Sequence, residues 1–284
     1  MSTFFPMNNG DHVYSYARNS QIQREVLDGA KEMMKEAIIK NLDIKYILSS
    51  SNKFHITDLG CSIGPNTFTS MQHVVQVVKD KYHDKNLEFQ VFFNDHVTND
   101  FNTLFRSLPV DRSYYASGVP GSFHGRLFPS RSIHFAHCSC AIHWLSKIPK
   151  ELLDTNSPAW NKGLCRLMDL VNEGMLDESL VDSFNVPIYL PSPDDITKVV
   201  EKNGCFSIEN IELTYPQSKL VDEADAKTFI INLRAILEGL FINHFGIKIA
   251  EEAFTRTILK NKEISAWMKT NYKACQLFIA LKRK

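Results

Sequence analysis

The stretch FHITDLGCSIGPN, residues 54–66, decides the fold class. Phe54–Leu59 predicts a short strand that Gly60 closes, and a helix is predicted to begin at Pro65, because proline suits the first turn of a helix. Gly60 and Gly64 allow a ligand to approach the backbone closely, so this strand–turn–helix pattern predicts the nucleotide-binding corner of a doubly wound α/β fold. The glycine spacing is GxxxG rather than GxGxxG, which argues against a dinucleotide cofactor and against an NAD-dependent reductase.

Strands alternate with helices along the rest of the chain, as hydrophobic periodicity and turn signals indicate. The predicted strands are 54–59, 88–93, 114–118, 132–142, 206–215 and 275–281. The predicted helices are 20–43, with Ser20 as its N-cap, 65–78, 193–203 and 224–244. This order predicts an α/β fold with a mostly parallel twisted sheet, one reversed strand and helices on both faces.

Two helical regions, 164–183 and 217–271, lie outside this alternation and are predicted to form an α-helical cap over a substrate pocket. The core is predicted to comprise 1–163, completed by 184–216 and 272–284. No fifth strand follows the fourth, because Trp160–Gly163 runs directly into a helical pattern. Typical element lengths therefore suggest that a helix–strand–helix segment of roughly 50–90 residues is missing between Gly163 and Leu164.

The overall composition narrows the function classes. The 284 residues include 32 Lys and Arg against 32 Asp and Glu, so neither nucleic acid nor an anionic membrane surface is an expected partner. No apolar stretch is long enough to span a bilayer, and the first residues do not form a secretory signal. The six cysteines fit neither a disulfide framework nor a zinc site, which indicates a reduced, cytoplasmic protein.

Polar residues follow the predicted strands at the edge of the sheet where doubly wound folds bind ligands. Asp58 ends the first strand and could either hold a cationic amino group or order the turn. Asp95 ends the second strand, and its two carboxylate oxygens suit the two hydroxyls of a ribose. The loop 118–129 carries Ser122 and Phe123, which could hydrogen-bond to an adenine and stack on it. Together these residues predict an adenosine-binding site.

The fourth predicted strand ends near His143 and Trp144. The indole of a tryptophan only donates hydrogen bonds, which suits a carboxylate or carbonyl oxygen of a substrate. A core tryptophan beside a histidine whose hydrogen bonds are satisfied is the open alternative.

Several segments in fixed order, from Tyr14 to the C-terminus, resemble the plant SABATH family of carboxyl methyltransferases and N-methyltransferases. They are SYARNSQIQ (15–23), DLGCSIGPN (58–66), FFNDHVTNDFNTLF (92–105), GVPGSFHGRLFP (118–129), HWLSKIP (143–149) and DSFNVPIYLPSP (182–193). The resemblance implies a Rossmann-like methyltransferase fold and a homodimer. It also implies transfer of a methyl group from S-adenosylmethionine to the carboxylate of a small apolar acid, which leaves S-adenosylhomocysteine and a methyl ester.

The resemblance implies residue roles as well. The residues implied to bind the methyl donor are Tyr16, Ser20, Asp58, Gly60, Cys61, Asn66, Asp95, His96, Ser122 and Phe123. Among them, Asp95 at the end of the second strand is implied to bind the ribose. Gln23 and Trp144 are implied to hydrogen-bond the substrate carboxylate as catalytic residues, with Cys140 and His143 lining the substrate pocket. Hard oxygen ligands for a magnesium-type ion are implied at Asn161, Asp182, the backbone oxygen of Phe184, and Asn185. Loop capping by Asn161 and Asn185 is the alternative.

Three departures from the family pattern bear on the substrate. Where some members carry a basic residue near the N-terminus that approaches the substrate, this chain has Met7-Asn8-Asn9. Several members have an aromatic residue at the position of Cys140, so the pocket is expected to be wider there. The segment predicted to be missing also supplies pocket wall in the family, which ties its absence to substrate specificity.

The implied reaction is an in-line displacement at a methyl group that the sulfonium charge already activates. A carboxylate, with an unperturbed pKa of roughly 4–5, is ionised at neutral pH, so no general base is required. One alternative is N-methylation of a purine-like base, which His143 and Cys140 leave open. The other is a catalytically impaired protein that binds S-adenosylmethionine without turning it over.

Overall fold

The computed structural model describes residues 6–44, 52–83, 86–147, 149–150, 167–215, 223–271 and 274–284. The chain divides into two compact units. The first, here called the sheet unit, comprises Ser20–His143, Leu190–Gln217 and Lys273–Lys284. The second, here called the helical unit, comprises Met1–Asn19, Trp144–Tyr189 and Ser218–Tyr272.

Four parallel strands form the larger sheet of the sheet unit, in the order β3-β2-β1-β4. They are β1 (Lys53–Leu59), β2 (Glu88–Asp95), β3 (Tyr115–Pro120) and β4 (Phe135–His137). Asp58 of β1 pairs with Phe93 of β2, which pairs with Gly118 of β3. Because the strands are parallel and in this register, the residues that end them meet at one edge of the sheet. The predicted α/β fold with a mostly parallel sheet is confirmed.

Two helices, α1 (Gln21–Asn41) and α2 (Pro65–Tyr82), contact each other, and α2 also contacts β1. The apolar side of α2 is buried, and its Phe68 ring meets the fully buried Phe93 edge-to-face, with ring centroids 5.7 Å apart. A short helix, α3 (Phe101–Arg106), follows β2. Its N-cap is Asp100, whose carboxylate accepts a hydrogen bond from the backbone N–H of Thr103.

A separate antiparallel pair, β5 (Phe206–Thr214) and β6 (Gln276–Arg283), completes the sheet unit. The helix α6 (Pro193–Asn203) precedes β5, begins with a capping box and ends at Gly204, which has a left-handed φ of 72°. β6 is bonded to α1, since the Gln276 amide donates to a backbone oxygen of that helix at 2.8 Å.

Two details of the sheet differ from the sequence prediction. The reversed strand β6 pairs with β5 in a sheet of its own rather than joining the parallel one, and no strand among the described residues lies between β4 and β5. The predicted strand 132–142 is a strand only over β4, because the backbone turns into a left-handed φ of 53° at Cys140. The predicted break at Gly163/Leu164 lies outside the described residues.

The helical unit contains α4 (Met168–Asn172), α5 (Glu178–Asp182), α7 (Glu223–Phe245), α8 (Ile247–Leu259) and α9 (Asn261–Asn271). Eight of its buried apolar residues form one cluster, made of Leu167, Leu170, Leu176, Val181, Phe184, Leu240, Phe245 and Ala253. A turn with a left-handed φ of 70° at Gly174 separates α4 from α5. In the part of the chain that the structure describes, no helix has both the length and the apolar character needed to cross a bilayer.

The boundaries of the two units differ from those of the predicted core and cap. Among the described residues, 6–19, 144–147, 149–150 and 184–189 group with the helical unit, whereas the sequence assigns them to the core. The units reflect which segments pack against one another, whereas the sequence prediction rested on where helices interrupt the alternation of strands.

Candidate functional site

The loop after β1 turns sharply at Gly60 and packs closely against Ala141 and Phe123. Gly60 has a left-handed φ of 76°, and a Cβ on this residue would stand 2.4 Å from the Cβ of Ala141 and 3.6 Å from Cε1 of Phe123. The backbone N–H groups of Gly60 and Cys61 both donate to the carbonyl oxygen of Asn94, at 2.9 and 3.0 Å. The conformation and the available space therefore both require glycine in this turn.

The carboxylate of Asp95 is held at the end of β2 by two backbone donors. Its Oδ2 accepts from the N–H of Ser62 and its Oδ1 from the N–H of His96, each at 2.7 Å. Each oxygen keeps a further lone pair, so the carboxylate can accept two more hydrogen bonds from vicinal hydroxyls. Burial raises the pKa of Asp95, the two N–H donors oppose that rise, and the Asp58 carboxylate adds to it.

Asp58 uses both of its carboxylate oxygens inside the protein. Oδ2 accepts from the hydroxyl of Thr67 in the first turn of α2, and Oδ1 accepts from Nδ1 of His137 in β4, at 2.8 Å. These bonds tie α2 and β4 to the end of β1. Of the two roles that the sequence leaves open for Asp58, this arrangement favours ordering the turn.

The start of α1 is bonded to the start of α2 through two predicted donor-site residues. Ser20 occupies the N-cap position, as predicted, but its side chain makes no capping bond. Instead, Nδ2 of Asn66 donates to the backbone oxygen and to Oγ of Ser20, at 2.9 and 3.0 Å. Both residues are buried, so this contact fixes where α1 begins relative to the β1 loop.

The loop after β3 is tied back to β2 by the side chain of Asn94. Its Nδ2 donates to the backbone oxygens of Val119 and Gly121, at 2.7 and 2.9 Å. Further along this loop Ser122 is exposed and Phe123 is half-buried. The Phe123 ring lies beside the glycine of the β1 loop, so the structure brings together residues that the sequence analysis drew from two strand ends.

Asn94 and Asn99 are site residues that the sequence analysis did not single out. Asn94 is fully buried, and Nδ2 of Asn99 donates to the backbone oxygen of Ser62 at 3.2 Å. A usable signal was present for Asn94, because an amide at the end of an apolar strand has to find hydrogen-bond partners when it is buried.

Five buried polar side-chain atoms of the sheet unit have no hydrogen-bond partner among the described residues, and three of them belong to Gln23 or to the junction of the β1 loop with β2. These three are Oε1 of Gln23, Oγ of Ser62 and Oδ1 of Asn94. Leaving such an atom unpaired costs about 1–3 kcal/mol, unless water or a ligand bonds to it. Gln23 lies in the first turn of α1, and the other two flank the junction of the β1 loop with β2. These atoms are therefore available to a bound polar ligand.

Three thiols belong to the same edge of the sheet. Burial raises the pKa of Cys61, Cys138 and Cys140, in the case of Cys138 to about 12. The carboxylates of Asp95 and Asp58 add to the rise for Cys61. All three side chains are therefore neutral thiols at neutral pH.

His143 and Trp144 stand where the chain passes from one unit to the other rather than at a strand end. Burial lowers the pKa of His143, so its imidazole is neutral at neutral pH. Trp144 belongs to the helical unit, where it forms an isolated backbone bridge with Ile188 and packs against the apolar cluster.

The remaining predicted site residues also belong to the helical unit. Tyr16 lies in its N-terminal segment, Asp182 ends α5, Phe184 buries its ring in the apolar cluster, and Asn185 is half-buried. Asn161 lies outside the described residues. Within the described ranges, no group of three or more His, Cys, Asp or Glu side chains is arranged to hold a metal ion.

Comparison with known proteins gives concordant matches along the whole chain. The sequence model of a family described as SAM dependent carboxyl methyltransferase matches residues 2–166 and 164–284. Loganic acid O-methyltransferase of Catharanthus roseus is 38% identical over 353 aligned positions, covering 98% of this chain and 94% of that relative. Farnesoic acid carboxyl-O-methyltransferase of Arabidopsis thaliana is 36% identical, covering 75% and 80%.

A solved structure of a loganic acid methyltransferase with SAH superposes on this chain with a TM-score of 0.90 at 38% identity. The match covers 98% of this chain and 99% of the solved one. Sequence and structure therefore point to the same group of proteins.

The close contact at Gly60 predicts that Gly60→Ala destabilises the protein far more than Gly204→Ala. Both glycines have a left-handed φ, which costs an alanine about 1–2 kcal/mol, but nothing lies within 4 Å of a Cβ on Gly204. The contact with Ala141 adds about 1–3 kcal/mol of overpacking at Gly60 alone. Urea unfolding of both variants measures the difference, and equal free energies of unfolding would contradict the close packing of this loop.

Proposed function

The chain belongs to the family of S-adenosylmethionine-dependent carboxyl methyltransferases, the plant SABATH group, and from this premise we propose that it converts a small apolar carboxylic acid into its methyl ester. S-adenosylmethionine supplies the methyl group and leaves as S-adenosylhomocysteine. The proposal concerns the class of acid and the roles of individual residues.

The observation that carries the donor half of the proposal is the anchored carboxylate of Asp95. Backbone N–H groups fix both of its oxygens, and each oxygen can still accept a hydroxyl of the ribose. The glycine turn of β1 lets the donor approach the backbone, and the neighbouring Phe123 ring offers a face for the adenine. Tyr16, Ser20, Cys61, Asn66, His96 and Ser122 are proposed as further donor contacts.

The observation that supports the acceptor half is the side chain of Gln23. Its amide has a buried oxygen without a partner among the described residues, and a primary amide can turn to present its NH₂ group at the same point. We assign Gln23 and the Trp144 indole as the two donors that hold the substrate carboxylate. Cys140 and His143 are assigned to the wall of the substrate pocket.

The chemistry requires positioning rather than acid–base catalysis. The substrate carboxylate is ionised at neutral pH and attacks the sulfonium methyl in line, forming the ester C–O bond as the C–S bond breaks. Both electrons of the C–S bond leave with sulfur, so no proton is transferred. His143 is neutral and is not needed as a base. Aligning the two reactants can lower the barrier by several kcal/mol, up to about 10.

We further propose that this chain lacks a segment that its relatives have near residue 164. The family model matches in two stretches that meet at 164–166, and the loganic acid O-methyltransferase alignment extends over 353 positions although the chain has 284 residues. The two separate sheets of the sheet unit agree with a missing central strand. This observation favours one alternative, a protein that binds the donor but transfers methyl groups slowly. An intact mass well above 32.5 kDa would show that the natural protein keeps the segment.

The proposal also covers a metal ion, the oligomeric state and the cellular location. Asp182, Asn185 and the Phe184 carbonyl supply hard oxygen atoms for magnesium, but they include a single carboxylate, and we derive no catalytic step through a metal. We propose a homodimer because the family resemblance implies one, and light scattering measures the oligomeric state. A cytoplasmic location is supported by the free thiols among the described cysteines.

Methyl transfer from labelled S-adenosylmethionine to a panel of acids tests the proposed function. The panel contains benzoate, salicylate, jasmonate, indole-acetate, farnesoate and gibberellin types and loganic acid, with a xanthine as the N-methyl acceptor. A labelled ester with one acid supports carboxyl methylation, and a labelled xanthine supports the N-methyl alternative. Donor binding without any labelled product supports the impaired alternative.

Trp144→Ala is expected to lower kcat/KM for the acid about 100-fold while leaving the dissociation constant of S-adenosylmethionine within about twofold. The reason is that the carboxylate loses a hydrogen-bond donor and its alignment, whereas the donor keeps its own contacts. Trp267→Ala is the matched control, because this tryptophan of the helical unit is 56% exposed. Steady-state kinetics measure kcat/KM for both variants. Wild-type turnover in Trp144→Ala would show that the indole does not hold the substrate carboxylate.

Donor binding is expected to weaken at low pH because of Asp95. Its raised pKa means that the carboxylate is lost at a higher pH than in a free aspartate, and a protonated acid no longer accepts two hydroxyl hydrogen bonds. The dissociation constant of S-adenosylmethionine should therefore rise as the pH falls through that pKa. Asp95→Asn should bind weakly at every pH without this dependence. Calorimetry from neutral pH down to about pH 4, close to the pKa of a free aspartate, makes the comparison, and an unchanged slope in the variant would contradict the ribose assignment.

A further inference from the structure

The N-terminal segment 6–19 of the helical unit is held on α7 by a buried polar network. At its centre, Arg234 and Glu238 face each other one turn apart on the helix, and both are buried. Nε and Nη2 of Arg234 donate to the same oxygen of Glu238, Oε1, at 2.8 and 2.5 Å. The other carboxylate oxygen of Glu238 therefore remains available to a partner outside α7.

That partner is Asn8. Its Nδ2 donates to Oε2 of Glu238 and also to the backbone oxygen of Tyr14, the latter at 3.2 Å. Its backbone N–H donates to the carbonyl of Ala235 at 2.9 Å. Asn8 is thus bonded through both backbone and side chain to one turn of α7, which fixes its position.

The ring of Tyr14 closes the network on its other side. The guanidinium carbon of Arg234 lies 3.8 Å from the Tyr14 ring centroid and 5.5 Å from that of Phe254. A guanidinium in this position gains a cation–π attraction, which strengthens when water is excluded. Arg234 therefore holds the segment through Tyr14 at the same time as it orients Glu238 toward Asn8.

The segment held in this way carries Tyr16. The N–H of Tyr16 donates to the backbone oxygen of Asn8 at 2.9 Å. The path from the ion pair to Tyr16 is therefore short: Glu238 bonds to the Asn8 side chain, and the Asn8 backbone bonds to Tyr16.

A buried ion pair of this kind adds little net stability. Removing two charges from water costs about as much as their attraction returns, so such pairs are weak evidence for stabilisation. What the pair does supply is a fixed direction for each hydrogen bond, because the guanidinium fork and the carboxylate accept only particular geometries. The network is therefore better suited to setting the position of a segment than to holding the fold together.

We propose that Arg234 and Glu238 are positioning residues for the methyl donor, which act through Asn8 to place Tyr16. The inference rests on the proposed function, in which Tyr16 contacts S-adenosylmethionine. Loosening the network should then weaken donor binding while the turnover number at saturating donor stays near the wild-type value.

Asn8→Asp tests the proposal, because it places a carboxylate against the Glu238 carboxylate. We expect the dissociation constant of S-adenosylmethionine to rise about tenfold, as the loss of a charge-assisted hydrogen bond allows. Adding Glu238→Gln to Asn8→Asp restores an amide–carboxylate pair with the roles exchanged, though not the bond to the backbone oxygen of Tyr14, and should recover part of the lost affinity. Glu252→Gln is the matched control, since it breaks the 2.7 Å pair with Arg256 elsewhere in the helical unit.

A double-mutant cycle with Tyr16→Ala separates positioning from general stability. If the network acts through Tyr16, Asn8→Asp should weaken donor binding little further once Tyr16 is truncated. An equal loss in both backgrounds overturns the proposal, as does a fall in melting temperature with unchanged donor affinity. If the wild-type chain binds no S-adenosylmethionine, the proposed function itself fails and the inference falls with it. Wild-type binding that Asn8→Asp leaves unchanged overturns the inference alone.

Discussion

Two adjacent residues at the end of β2 hold the loops that follow the neighbouring strands. The carbonyl of Asn94 accepts two N–H groups of the β1 loop, and its side-chain amide donates to one carbonyl near the end of β3 and to one in the loop that follows. Asp95 then takes a third N–H from the β1 loop. Because hydrogen-bond directions are restrictive, these contacts leave the two loops few positions relative to the carboxylate. The shape of the candidate donor site therefore depends on this junction.

The two units each use a buried polar network around a carboxylate. Asp58 joins β1, α2 and β4 in the sheet unit, whereas Glu238 joins α7 to the N-terminal segment in the helical unit. Apolar packing fills volume but tolerates small shifts, while a fully paired buried carboxylate accepts only a narrow set of partner positions. Apolar packing and the two carboxylate networks together hold chain segments that are distant in sequence. Packing alone would leave the positions of these segments beside the helices and strands less strictly defined.

Sequence reasoning succeeded where structure is local. The periodicity of α1 and α2 and the apolar runs of β1 to β3 predicted those elements closely, because each is set by residues a few positions apart. The length of β4 was mispredicted because the backbone turns at Cys140. A cysteine gives no sequence signal for the left-handed conformation found there. The partners of Asn94 and the contact of Arg234 with Tyr14 were also missed, because such contacts join residues far apart in the chain. The individual site roles of Gln23 and Trp144 remain predictions from resemblance.

The protonation state of the thiols at the sheet edge has a consequence for chemical selectivity. A sulfonium methyl donor is an alkylating agent, and a thiolate is a far stronger nucleophile toward it than a carboxylate. Burial keeps Cys61, Cys138 and Cys140 as thiols, whereas Cys205 and Cys275 are exposed. An edge lined by neutral sulfur atoms offers an electrophile no competing target, so a protein with this lining is protected against modifying itself while it handles a reactive methyl group.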